Sequence, residues 1–456
     1  MKAQRGRIIP LGKAGGLKPL AQRPSQMTAF ASARTDGTGK LLVLLFVLPM
    51  FVQIFHYMFD VGPLYLLSKA WPVLMLPLAG YGLVTLRASL APFYLATLLY
   101  VLTVTPLLSI YWLGNSAVDA LANSIKVWSL TYYFSVTALL VMLNVSPRQL
   151  IRALMMLGVG TVVVMWLLWL TVPDSAYVGD QALSKLFLFE YERGNRIFFP
   201  MSFALLAMFY AAAHLAERLR FWQFLVIAAV LATQIMIFKQ RMVLGASVLT
   251  LVGIVVFRLP KLWRSLVLSG IGLASVAGLW IVFIHVEKLV HSLGGSLSVR
   301  QRSLSLLANY LLEQPARWIF GAGGASRVGS VTMADIVGRK DFFLADLGWA
   351  GALFEFGLVG SVLLMSLYFA ALRWSSRQSL PPQSPERAMS IALIGYIVYL
   401  ALSTAVYSVV YTPGELATMT ALLIYIVNSA RPARQSPRVT GVPDAQQQQS
   451  GEVLSA

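Results

Sequence analysis

Apolar runs about twenty residues long recur from residue 41 to residue 430, and few folds accept such a chain. They fall at 41–59, 65–86, 90–112, 126–145, 150–172, 196–215, 220–238, 242–258, 264–286, 349–372, 388–410 and 415–430. In a helix, about 20 apolar residues cross the hydrocarbon core of a bilayer. A lone run in lipid has to satisfy its own backbone polar groups, and only a helix does so. Composition agrees. The chain is 58% hydrophobic and 12% charged, where a soluble domain carries about 25% charged residues. The expected fold class is all-α: a polytopic transmembrane helical bundle of about 12 spans, with one large periplasmic loop containing short helices.

The expected organisation follows the runs. Residues 1–40 form a basic cytoplasmic tail and 41–286 hold spans one to nine. Residues 287–348 form the large periplasmic loop, 349–430 hold spans ten to twelve, and 431–456 form a second cytoplasmic tail. Both tails read as disordered from their composition. The first is not a cleavable leader, because no apolar core precedes residue 41 and no small-residue cleavage site follows it.

The net charge is +18. In a membrane chain, excess Lys and Arg speak first of topology and not of nucleic acid. With the N-terminus inside, the cytoplasmic gaps hold Arg87; Arg148 and Arg152; Arg218 and Arg220; Arg258, Lys261 and Arg264; and Arg373, Arg377 and Arg387. Every such gap carries a cation, which places both termini in the cytoplasm. Three outward gaps oppose the rule. Lys185 and Arg193 lie in 173–195 with Arg196 at its edge, and residues 239–241 read Lys-Gln-Arg. The long segment holds Lys288, Arg300, Arg302, Arg317, Arg327, Arg339 and Lys340. Charges kept against a topological cost point to a role. The segment 287–348 is also too long for a passive connection. Within it, Ser298 to Glu313 reads as an amphipathic helix carrying Leu304, Leu306, Leu307, Tyr310 and Leu311, stopped by Pro315.

There is no cysteine, which removes disulfides, thiolate metal sites and a cysteine nucleophile. His56, His214, His285 and His291 make no cluster, and no Asp-x-Asp occurs, so neither a metal nor a cofactor is expected. The candidates that remain are arginines, glycines and carboxylates. Arg193, Arg196, Arg241, Arg300 and Arg302 lie at the outer boundary, where the diphosphate of a lipid-linked sugar sits, and the guanidinium fork matches phosphate. They could equally snorkel to headgroups or pair with Glu190, Glu192 and Glu287. Gly321 and Gly323 let backbone N–H groups face an anion, or serve a turn. Asp341 and Asp346 precede the tenth span. A buried Asp at a cavity mouth can act as a general base, whereas Asp346 could also cap the helix beginning near Leu347. Lys69 lies inside the second span, as a functional charge or a snorkelling one.

Four segments in order resemble the O-antigen ligase and polymerase family of bacterial envelope glycosyltransferases. Arg193-Gly-Asn-Arg-Ile-Phe-Phe-Pro200 resembles the family's arginine-bearing approach to a span, and Gln240-Arg241-Met-Val-Leu-Gly its Gln-Arg span start. Arg300-x-Arg302 followed by Pro315, Trp318 and Phe320-Gly-Ala-Gly323 resembles its arginine helix and glycine segment. Asp346 before Leu353-Phe-Glu-Phe-Gly-Leu-Val-Gly360 resembles the close of its large loop. Family ligases usually carry His-Asn where this chain has Asp346-Leu347, so the departure leans toward the polymerases. The resemblance implies metal-independent, inverting glycosyl transfer in the bacterial inner membrane, with the active site facing the periplasm. Donor and acceptor would be polyprenyl-diphosphate-linked glycans of O-antigen, capsule or exopolysaccharide. The arginines would hold the diphosphate and Asp346 would take the acceptor proton, with Asp341 and Glu192 as secondary carboxylates. A chain-length regulator and a flippase are the implied partners, beside membrane lipid. Two rivals are ligation of the glycan to lipid A core or another acceptor, and transport of a lipid-linked or anionic substrate.

Overall fold

The computed structural model describes residues 37–58, 61–179, 186–215, 219–267, 269–270, 295–324, 335, 344–405 and 413–430. Most of the two tails, most of the expected ninth span and Asp341 lie outside the described residues. So do residues 325–334 and 336–343 of the long loop.

The chain is an all-α, multi-pass membrane protein. Among the described residues, eight helices are long and apolar enough to cross a membrane. They are α2 (Gly62–Thr85), α3 (Ala91–Leu113), α4 (Ala117–Met142), α5 (Pro147–Thr171), α7 (Phe221–Phe238), α8 (Arg241–Arg258), α11 (Trp349–Ser376) and α12 (Pro385–Ser403). The apolar helices α1 (Gly37–Phe51) and α6 (Ser202–Leu215) are shorter, and α13 (Pro413–Ser429) has 17 residues. Two more helices, α9 (Gly295–Leu312) and α10 (Pro315–Phe320), belong to the long loop.

Helix starts follow local chemistry. Ser146 caps α5 through Gln149 in a reciprocal capping box, with Pro147 in the first turn. Ser116 and Ser384 accept from the third backbone N–H of α4 and α12. Large apolar side chains such as Phe46, Val84, Leu99, Leu170 and Phe369 point outward, as they do when the surroundings are lipid.

Three boundaries depart from the apolar runs. The first span ends at Phe51, because the chain turns through Gln53 at positive φ. The fourth begins at Ala117 and not at 126, because Ser116 starts it. The sixth begins at Ser202. Residues expected to open it belong instead to a small antiparallel hairpin, β1 (Phe187–Glu190) with β2 (Gly194–Ile197). An apolar window cannot separate Ile197-Phe-Phe from the helix that follows Pro200.

Side-chain contacts sort the bundle into two ends. At one, the Lys40 ammonium donates to Asn144 O (3.2 Å) and the Tyr425 hydroxyl to Val145 O (2.5 Å). At the other, Glu415 at the start of α13 accepts from Ser202 (2.9 Å) and from Tyr396 of α12 (2.8 Å). The backbone of Gly348, just before α11, lies against Thr404 and Ala405 at the far end of α12. Hairpin, α8 start and loop helices therefore share the Glu415 end.

Candidate active site

The arginines of the hairpin are held locally. Glu190 pairs with both Arg193 and Arg196 across the turn, and the Arg196 guanidinium lies over the Phe198 ring. Glu192 is exposed. Lys239, in the turn between α7 and α8, donates to Arg193 O (3.0 Å) and Asn195 O (2.8 Å) and lies over Trp169. Burial lowers its pKa. Lys239 thus braces the hairpin against the bundle. Arg241 opens α8 and is exposed.

On α9, Arg300, Ser303, Leu307 and Leu311 recur at helical spacing, and Ser303, Leu307 and Leu311 are buried while Arg302 is exposed. Leu307 and Leu311 form a small core with Ala322, Leu347 and Phe354. That core docks α9 against the segment leading into α11, where Asp346 sits in a 3₁₀ turn, Leu344–Leu347. Burial pushes the Asp346 carboxyl above its ordinary value, and the charge of Arg300 pulls it part of the way back. Residues 46 apart in sequence thus act on one another. The capping alternative for Asp346 finds no helix: α11 begins at Trp349, with Gly348 at the cap position and no side-chain cap bond.

Gly321 and Gly323 have positive φ, and their N–H groups are taken by backbone. Gly321 donates to Arg317 O (2.8 Å), Ala322 to Phe354 O (2.8 Å) and Gly323 to Glu355 O (3.2 Å). A Cβ on Gly321 would lie 2.4 Å from Glu355 O, and one on Gly323 2.3 Å from Ser109 N. These glycines permit close backbone approach, and both N–H groups are spent. The Phe354 and Glu355 carbonyls are free to accept from Ala322 and Gly323 because α11 is broken at Gly357, whose φ is 62°. Lys69 of α2 lies over the Tyr65 ring, and Arg317 stacks on Trp112 and Tyr310 while pairing with Glu313.

No family model matches this chain, and comparison with curated proteins finds no match.

Sequence reasoning missed three ionisable residues that pair inside the bundle, one of them buried and two partly so. Glu355 on α11 is 1% exposed and takes the Lys126 ammonium of α4 at 2.5 and 2.7 Å. Beside this pair a small cavity, with room for about one water, is lined by Asn123, Ser124 and Thr105 among others. Glu415 is the third. All three lie within or at the edge of an expected apolar run, and an ionisable residue there was itself the available signal.

Proposed function

We propose that the chain is an integral-membrane glycosyltransferase that polymerises polyprenyl-diphosphate-linked oligosaccharide repeat units on the periplasmic face of the inner membrane. The polymer is an O-antigen, capsule or exopolysaccharide. In this reading the chain crosses about 12 times with both termini in the cytoplasm, and the Glu415 end of the bundle faces the periplasm. The observation that carries the proposal is the half-buried Asp346 carboxyl, raised in pKa, with the Arg300 charge upon it at that end. A base with raised pKa within the field of a guanidinium that could take a phosphate is what glycosyl transfer from a diphosphate needs. The four segments resembling O-antigen ligases and polymerases support it, since they include both residues.

In the proposed step, Asp346 accepts the proton of an acceptor hydroxyl as its oxygen attacks the anomeric carbon of the donor. The bond from that carbon to the diphosphate breaks with inversion, and the charge left on the diphosphate falls to Arg300. Arg241 and Arg302 are exposed and attract the anionic lipid head to that end, while Arg193 and Arg196 reach it only on release from Glu190. Asp346→Asn tests the step, because Asn keeps the shape but cannot take the proton. A general base contributes about 10²–10⁴-fold in rate. The variant should leave single repeat units where the parent makes long chains, at equal membrane abundance. Normal chain length would refute Asp346 as the base.

A further inference from the structure

The Lys126–Glu355 pair sits at a junction. Ser116 starts α4, so Lys126 lies about 15 Å along it, at 1.5 Å per residue. Glu355 is six residues into α11, just ahead of the break at Gly357. Its carboxylate takes Lys126 from a different helix, while its backbone carbonyl takes the Gly323 N–H. Gly324 O accepts from Ser109 (2.7 Å) and Asn123 (3.2 Å), so the glycine segment is also tied to α3 and α4. The Tyr100 hydroxyl reaches both Phe320 O (2.8 Å) and Phe356 O (3.0 Å). On the far side, Ala322 and Phe354 enter the small core that holds α9, with Arg300, against Leu347, next to Asp346.

We propose that Lys126 and Glu355 are positioning residues, whose ion pair clamps the broken helix α11 to α4 and thereby sets where Arg300 stands relative to Asp346. The broken helix needs such a clamp. At Gly357 the regular ladder is lost, so the segment 349–356 depends on side-chain and loop contacts for its direction. A buried carboxylate without its cation would take up water or turn away, carrying Phe354 and the docked loop with it. The clamp acts on the scaffold; its consequence for polymer rests on the function proposed above.

The chain lacks cysteine, so Arg300→Cys with Asp346→Cys supplies the sole thiols, and a short bis-maleimide reports their proximity in intact membranes without reference to activity. Cross-linking should be efficient in the parent double variant and fall severalfold when Glu355→Gln is added. It should fall less with Glu355→Asp and be retained with Lys126→Arg, which keeps the charge. Equal cross-linking with and without Glu355→Gln, at equal protein level, would overturn the proposal. If Glu355→Gln does not accumulate, the comparison of Glu355→Asp with Lys126→Arg decides by the same criterion. In the native Arg300 and Asp346 background, Glu355→Gln should shorten the polymer and Lys126→Arg should not. A fall in cross-linking with polymer of full length would uphold the clamp and refute the role given to Arg300 and Asp346.

Discussion

Among the five outward arginines proposed to meet diphosphate, environment separates one from the rest. Arg193 and Arg196 share Glu190, Arg241 and Arg302 are exposed, and Arg300 acts on Asp346. Arg300→Ala should therefore cost the most polymer and Arg302→Ala much less. Arg300→Lys should recover part of the loss, because the charge returns without the fork. The pH dependence has a definite sign. Asp346 works as a base only when ionised, so activity should fall as pH drops through its raised pKa. Burial raises that pKa and Arg300 lowers it, so Arg300→Ala should move the acid limb of residual activity to higher pH. A profile of chain formation against pH checks this, and an unmoved or lowered limb would refute the coupling. Asp346 is singled out by the resemblance of its segment to the close of the family's large loop. Its link to Arg300 was not legible in the sequence, since it depends on how α9 folds back.

At the level of elements, the long apolar helices were readable because lipid demands helical runs of fixed length. The amphipathic helix was readable too, from the spacing of Leu307 and Leu311, and it runs from Gly295 to Leu312. The hairpin was not, because its four-residue strands are brief, although the pairing of its arginines with Glu190 was one of the readings open to them in the sequence. Nor was the break in α11. Gly357 looks like an ordinary helix glycine until the loop segment at Gly321 is seen to occupy its Cβ position, 2.3 Å away. Gly357→Ala should therefore destabilise the protein by about 1–3 kcal/mol, read as a lower thermal midpoint in detergent. Gly245→Ala is the control, since a Cβ there meets nothing, and it should leave the midpoint level or raise it. Equal midpoints for the two variants would contradict the described packing.

For the whole molecule, the candidate residues gather at one end although their spans are scattered along the chain. Hairpin, α8 start, Asp346 and Glu415 all lie toward that end. In the proposed orientation, drawn from the cation count, that end faces outside. A reporter joined after Arg377 should accordingly stay in the cytoplasm, and one joined after Gly329 should be exported; the reverse at either point refutes the orientation. The most direct test of the central claim uses purified protein in liposomes, given only polyprenyl-diphosphate-linked repeat units. Polymerisation predicts a ladder of longer lipid-linked chains, absent with Asp346→Asn. Repeat units that stay single until a separate acceptor is supplied, or that cross the bilayer unchanged, would contradict it.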